Sequence, residues 1–168
     1  GVFKLAASTL IDAPIEDVWK VLLDFPSYNE WNAFVRNQTI TDSNKTPLAD
    51  QQTALPGHYI NIFVHLPPTL SSPSFPSFLH SSSAFGRITT VDHTSHRAAW
   101  VLVSPLPKFL LTSERWQTLT VEEETGKTRY ETVEVFGGVF AYFVKWLLQG
   151  ALQQGFEAMA EGLKKRSE

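Results

Sequence analysis

The chain has 168 residues, 43% of them hydrophobic and 12% aromatic, which suits one domain spanning 1–168 with a sizeable core rather than two small ones. Cysteine is absent, which excludes disulfides, thiolate metal sites and cysteine nucleophiles and is compatible with a reducing, cytoplasmic location. A formal net charge of -3, with Lys and Arg scattered, offers no basic stripe to nucleic acid, and no apolar run approaches the ~20 residues that cross a bilayer. No charged-then-apolar leader opens the sequence, although its start at Gly-Val rather than Met leaves room for one already trimmed.

Residues 3–11 alternate as a strand that ends at Asp12-Ala13-Pro14. Pro14 suits the first position of a helix, Glu16 and Asp17 favour its positive end, and Ile15, Val18, Trp19, Leu22 and Leu23 form its apolar stripe. After Asp24-Phe25-Pro26, Ser27 is placed to cap a second short helix over 28–34, with Glu30 as capping-box partner. Residues 36–41 read as a strand and 42–56 as a polar loop. Residues 58–66 form a strand whose Ile60, Ile62 and Val64 point inward, leaving His65 on a mixed outer face. Residues 67–83 hold four prolines and seven serines with interspersed Leu70, Phe75, Phe78 and Leu79, and read as a lid-like loop.

Residues 85–92 and 97–103 make a hairpin across a turn that holds His93 and His96, which are expected to be solvated rather than metal-binding. Residues 111–123 and 127–136 make another. Glu124-Thr125-Gly126 fits a three-residue loop with glycine in the left-handed region, a register that sets Trp116 opposite Glu134, Thr118 opposite Thr132 and Thr120 opposite Tyr130. Gly137-Gly138 ends the hairpin. Residues 140–166 contain no proline, and Leu148, Leu152, Phe156, Met159 and Leu163 recur on one helical face, predicting an amphipathic helix of roughly 40 Å. Its first turns, with Phe140, Tyr142, Phe143, Val144, Trp146, Leu147 and Leu148, are apolar all round and so are expected to be enclosed on more than one side. Gly150 and Gly155 inside it imply close packing or room for a ligand.

One strand, two short helices, about six mostly antiparallel strands and a long C-terminal helix predict an α+β helix-grip fold, a curved antiparallel sheet wrapped around that helix. The run Ala13-Pro14-Ile15-Glu16-Asp17-Val18-Trp19, then Leu23-Asp24-Phe25 and Tyr28-Asn29-Glu30-Trp31-Asn32-Ala33-Phe34, resembles the opening signature of the SRPBCC (START-like) superfamily. That group includes lipid-transfer START domains, birch-pollen-allergen-like proteins and polyketide cyclase/dehydratase-like proteins. Gly57, Ala98-Ala99-Trp100, Glu134 before Phe136-Gly137-Gly138, and Gly155-Phe156-Glu157-Ala158-Met159 are similar to the polyketide-cyclase-like branch.

The resemblance implies an internal cavity for a hydrophobic, aromatic or polycyclic molecule. Alternation alone does not choose the inward face of the last hairpin; the resemblance selects the even-numbered one, with Glu114, Trp116, Tyr130, Thr132 and Glu134. Glu134 packed on Trp116 would be desolvated and titrate closer to neutrality, where proton transfer is effective. The expected function is a cofactor-independent cyclase, dehydratase or isomerase of secondary metabolism, with Glu134 and Glu114 moving protons and Tyr130 hydrogen-bonding a carbonyl. Trp31, Phe34, Ile60, Ile62, Ile88, Trp100, Trp116, Thr132, Tyr142 and Trp146 would line the ligand. A non-catalytic carrier or sensor of a lipid or quinone is the alternative. No metal, cofactor, nucleic acid or integral membrane association is expected, and the chain would act as a monomer or homodimer.

Overall fold

The structure, a computed structural model, describes residues 1–68 and 81–168. Strand β1 (Phe3–Ile11) is followed by helix α1 (Ile15–Leu23), a 3-10 turn (Phe25–Ser27) and helix α2 (Tyr28–Trp31). Strands β2 (Val35–Thr41), β3 (Tyr59–His65), β4 (Ser81–Asp92), β5 (Arg97–Leu102), β6 (Thr112–Val121) and β7 (Thr128–Gly137) then lead into the long helix α3 (Ala141–Ser167). The strands form one sheet in the order β1-β7-β6-β5-β4-β3-β2, every neighbouring pair antiparallel. Bulges between Val35 and Asn37 and between Ile88 and Thr90 bend it. The concave face holds α3, which is the α+β helix-grip arrangement expected from the order of elements. The expected lid-like loop, 67–83, falls mostly outside the described residues; its last three residues open β4.

Apolar alternation places the core. Leu5, Ile11, Ile40, Ile60, Ile88, Trp100, Leu119 and Tyr130 from the sheet meet Val18, Trp19 and Leu22 of α1 and Phe156, Met159 and Leu163 of α3 in one buried cluster. Ile62 and Val64 of β3 pack against its edge, half-buried. His65 alternates to the outer face of β3 as expected but is buried there, and its Nδ1–H donates to Pro67 O at 2.7 Å.

Three local expectations fail for identifiable reasons. Helix α2 stops at Trp31 rather than running to Phe34, because the side chain of buried Asn32 accepts the amides of Phe34 (3.1 Å) and Val35 (2.8 Å) and so ends the helix. Ser27 makes no side-chain cap. His93 and His96 are not merely solvated: Trp19 Nε1 donates to His93 Nδ1 at 2.9 Å, and His96 Nε2 donates to Glu16 Oε1 at 2.6 Å. Both imidazoles meet the Trp19 ring edge-on, so the β4–β5 turn clamps α1 to the sheet.

Helix α3 grips with one half only. A Cβ on Gly155 would fall on the Phe34 ring, and one on Gly162 would lie 2.5 Å from Trp31 O, so these glycines let α3 press onto the chain between α2 and β2. Gln153 Nε2 donates to Ala6 O and Lys164 Nζ to Leu10 O, occupying carbonyls along the otherwise open edge of β1. The first turns are not enclosed as expected. Ala141 is buried and Val144 packs on the core, but Tyr142, Phe143, Trp146, Leu147 and Leu148 are exposed. Apolar residues on every side of a helix do not distinguish an enclosed segment from one with an unpartnered face.

The two central glycines of α3 separate by experiment. Gly155→Ala is expected to destabilise the fold by about 1–3 kcal/mol through overpacking on Phe34, whereas Gly150→Ala, with nothing within 4 Å of its Cβ, is expected to stabilise it by about 0.5–1 kcal/mol through helix propensity. Chemical denaturation of the two variants measures both.

Candidate functional site

The site depends on one hairpin. Between Glu122 and Lys127 the loop holds four residues, not three: Glu122 N donates to Lys127 O and Gly126 N to Glu122 O, both at 2.8 Å, with Gly126 in the left-handed region at φ 71°. The register therefore shifts by one from expectation. Trp116 pairs with Val133 and Arg115 with Glu134. Since paired residues point to the same side, the shift leaves Tyr130, Thr132 and Glu134 facing inward as expected but turns Glu114 and Trp116 outward. Arg115, Gln117 and Leu119 take their place.

A single row of inward residues crosses the sheet through Leu5, Glu134, Arg115, Trp100 and Ile88, each paired with the next. Arg115 is only 5% exposed. Its Nε donates to Thr132 Oγ1 (3.1 Å), its Nη2 to Met159 Sδ (3.2 Å), and its guanidinium carbon lies 4.5 Å from the Phe156 ring centre and 6.0 Å from that of Phe34. Thr132 Oγ1 donates in turn to Trp116 O. No carboxylate lies within 4.0 Å of Arg115 among the described residues, so a buried cation is held by a hydroxyl, a thioether and two aromatic faces. Next to it, burial pushes the Glu134 carboxyl above the ordinary glutamate range; Arg115 and the Ser113 hydroxyl pull it part of the way back. Burial likewise raises the Tyr130 phenol, whose OH donates to Gln117 Oε1, while Gln117 Nε2 is buried without a hydrogen-bond partner among the described residues.

Trp31, Phe34, Ile60, Ile88, Trp100, Tyr130 and Thr132 are buried on the concave side, and Ile62 and Glu134 are half-buried on the same face. Four of the anticipated residues stand elsewhere. Trp116 Nε1 donates to Glu114 Oε1 at 2.8 Å and Arg97 stacks 5.4 Å over the indole, so Glu114 and Trp116 belong to an outer-face cluster. Tyr142 and Trp146 project from the free side of α3. Arg115 and Gln117, which sequence reasoning assigned to the outer face, are the additions. A signal for them existed, because the four-residue loop would have paired Arg115 with Glu134, a complementary cross-strand charge pair, where the three-residue loop paired Trp with Glu.

Toward the start of α3 the inward positions become half-buried: Phe3, Ile62, Val64, Ala84, Leu102, Ser113 and Glu134 on the sheet, Val144 and Leu152 on the helix. This apolar rim leads down to the Glu134–Arg115 row. Two grooves border this region, the second sharing Leu102 and Ser113 with the rim. One of about 570 Å³ runs between β1, β7 and α3 and touches the site only at Thr132; one of about 680 Å³ lies under the β5–β6 loop on the outer face. Neither is lined by Arg115, Tyr130 or Glu134.

Fold and site together describe a helix-grip protein with a charged, partly desolvated row beneath an apolar rim. No protein-family profile and no curated protein matches the sequence. Solved structures do match the fold. A hypothetical protein from Helicobacter pylori superposes with a TM-score of 0.72 at 13% identity, covering 99% of this chain and 88% of its own. The Zhui aromatase/cyclase from Streptomyces sp. R1128 gives 0.69 at 10%, covering 98% and 93%, and a START superfamily protein from Mycobacterium smegmatis gives 0.61 at 14%, covering 98% and 96%.

The raised Glu134 carboxyl has a consequence for stability. Its folded form holds its proton to higher pH than its unfolded form, so stability falls as pH rises from the ordinary glutamate range through the raised one. Glu134→Gln removes that loss. The variant should match wild type at pH 4 and exceed it in denaturant midpoint at pH 7; a gap that is the same at both pH values would contradict this environment for Glu134.

Proposed function

We propose that the protein takes up a hydrophobic small molecule carrying a carbonyl, carboxylate or phenolic oxygen, with its apolar body along the half-buried rim and its oxygen against Arg115. The observation that carries this reading is the pairing of a buried guanidinium, without an ion pair among the described residues, with a carboxyl held above its usual range. Burying an arginine costs several kcal/mol unless its partners are good, and a ligand oxygen between Arg115 and the orphaned Gln117 Nε2 would complete both sets of hydrogen bonds.

The chemistry this supports is proton transfer next to a carbonyl. Arg115 would stabilise negative charge developing on the oxygen, and Glu134 would take a proton from the neighbouring carbon and pass it on: to a carbon of the enolate in isomerisation, to a departing hydroxyl that leaves as water in dehydration, or to the oxygen of the carbonyl that the carbanion attacks in ring closure, in each case without a cofactor. Glu114 faces outward and takes no part. Tyr130, whose hydroxyl donates to Gln117 and lies against Arg115 and Thr132, orients that polar cluster rather than meeting the substrate. Likeness to an aromatase/cyclase is one of fold and agrees with a cyclase without specifying one. A non-catalytic carrier of a lipid or quinone is the second reading; the predominance of apolar groups around a single charged row favours it.

Anilinonaphthalene sulfonate, an apolar body with one anionic group, serves as probe. Arg115→Met is expected to preserve or raise stability, since an apolar residue of similar volume replaces a buried charge, and to weaken probe binding roughly tenfold or more by removing a charge-assisted contact. Unchanged binding would remove Arg115 from the site. Mass spectrometry of compounds retained on purification supplies a substrate candidate. On a converted substrate Glu134→Gln should lose on the order of 100-fold to 10,000-fold in turnover while still binding; a carrier would show no turnover to lose.

A further inference from the structure

The free half of α3 is the largest feature that the proposed site leaves unused. Trp146 is 87% exposed, Leu147 76%, Tyr142 63% and Phe143 56%. Phe109, at the tip of the β5–β6 loop and 69% exposed, adjoins them: Val139 N donates to Phe109 O at 3.0 Å and Phe140 N to Leu110 O at 2.8 Å, while the Phe140 and Phe143 rings meet at 6.3 Å. Taking ~200 Å² per aromatic side chain, the five exposed rings alone present on the order of 600 Å², the upper end of the ~300–600 Å² of the largest patch on a typical monomer. The surface also ends abruptly. Along the same side of α3, Phe143, Trp146 and Leu147 give way past Gly150 to Gln154, Glu157 and Glu161.

We infer that the first turns of α3 and the tip of the β5–β6 loop form a docking surface for a lipid bilayer carrying anionic headgroups. Charge distribution selects this occupant. The two segments that build the patch, 102–113 and 137–156, contain Lys108 and Lys145 and not one Asp or Glu, although acids outnumber bases 17 to 14 in the whole chain. Both lysines are exposed and neither forms an ion pair among the described residues. Aromatic rings that insert at headgroup depth, flanked by lysines that reach phosphates, are the composition of an interfacial anchor. A second copy of the chain fits less well. A two-fold contact through this face would double both lysines over segments that contain no acid, leaving only Glu114, in the groove beside Lys108, to oppose them, and lysine is depleted from protein–protein interfaces. No described helix is long and apolar enough to cross a membrane, so the contact lies on the surface of the bilayer. The patch residues are not those of the Glu134–Arg115 row, and this inference stands independently of the ligand reading.

The test is co-sedimentation of the whole chain with vesicles of phosphatidylcholine alone and with a quarter phosphatidylserine. Wild type should sediment with the serine-containing vesicles, less so in high salt, and its tryptophan emission should shift to shorter wavelength. That shift would report on Trp146, because Trp19, Trp31 and Trp100 are already buried and Trp116 half-buried. Trp146→Ser combined with Leu147→Ser should bind these vesicles roughly tenfold or more weakly, with an unchanged melting curve as the folding control. Lys108→Glu with Lys145→Glu, which keeps every ring, should lose the preference for phosphatidylserine. Failure of wild type to sediment, or equal binding by the serine variant, would overturn the inference. So would a dimer in analytical ultracentrifugation that the serine variant disperses while vesicles are ignored, which would assign the face to a second copy.

Discussion

Burying the Arg115 guanidinium is the constraint around which the interior is arranged. Water is replaced by a fixed set of weak partners: Thr132 Oγ1, Met159 Sδ and the faces of Phe34 and Phe156. These come from β7, α3 and the chain entering β2, so the cation can be accommodated only once sheet and helix have come together. Glu134 shares the row yet stops short of an ion pair. A full salt bridge would hold its carboxyl low, whereas here burial outweighs Arg115 and holds it above the ordinary glutamate range. That residual imbalance makes the row a candidate for chemistry and not merely for support.

The grip of α3 creates this environment and also limits it. Gly155 and Gly162 let the C-terminal half of the helix approach within contact of Phe34 and Trp31, and in doing so press Phe156 and Met159 onto the guanidinium. In the N-terminal half only Ala141 is buried, and the helix departs from Gly138, at φ 89°, alongside the β5–β6 loop. One helix thus seals the deep end of the concave face and leaves its other end half-buried. Rim, row and exposed aromatic surface follow from where that transition falls.

Clamping at the far side works by different means. The β4–β5 turn, with His96 in the left-handed region at φ 54°, delivers two imidazoles to Trp19 and Glu16 and ties α1 to the strands beside Trp100. The Trp100 ring then meets Phe25 at 6.1 Å, so the 3-10 turn after α1 closes the row's other end. Polar contacts at the surface here position apolar contacts beneath them.

Period and punctuation determined by themselves the order of elements, the two hairpins, the aliphatic face of β3, and the inward stripe of α3 through Leu152, Phe156, Met159 and Leu163. These are local properties, readable wherever apolar residues recur at the spacing of a helix or strand. The inward orientation of Glu134 followed from the family resemblance rather than from alternation. Tertiary structure decided the rest. Loop length at Glu122–Lys127 set which face of β6 looks inward, exchanging Trp116 and Glu114 for Arg115 and Gln117, because a strand alternates every residue and one added residue inverts it. Likewise the apolar start of α3 carried no period to say which side meets a neighbour; only the packing of Gly155 and Gly162 onto Phe34 and Trp31 chose the buried side and left Trp146 facing out.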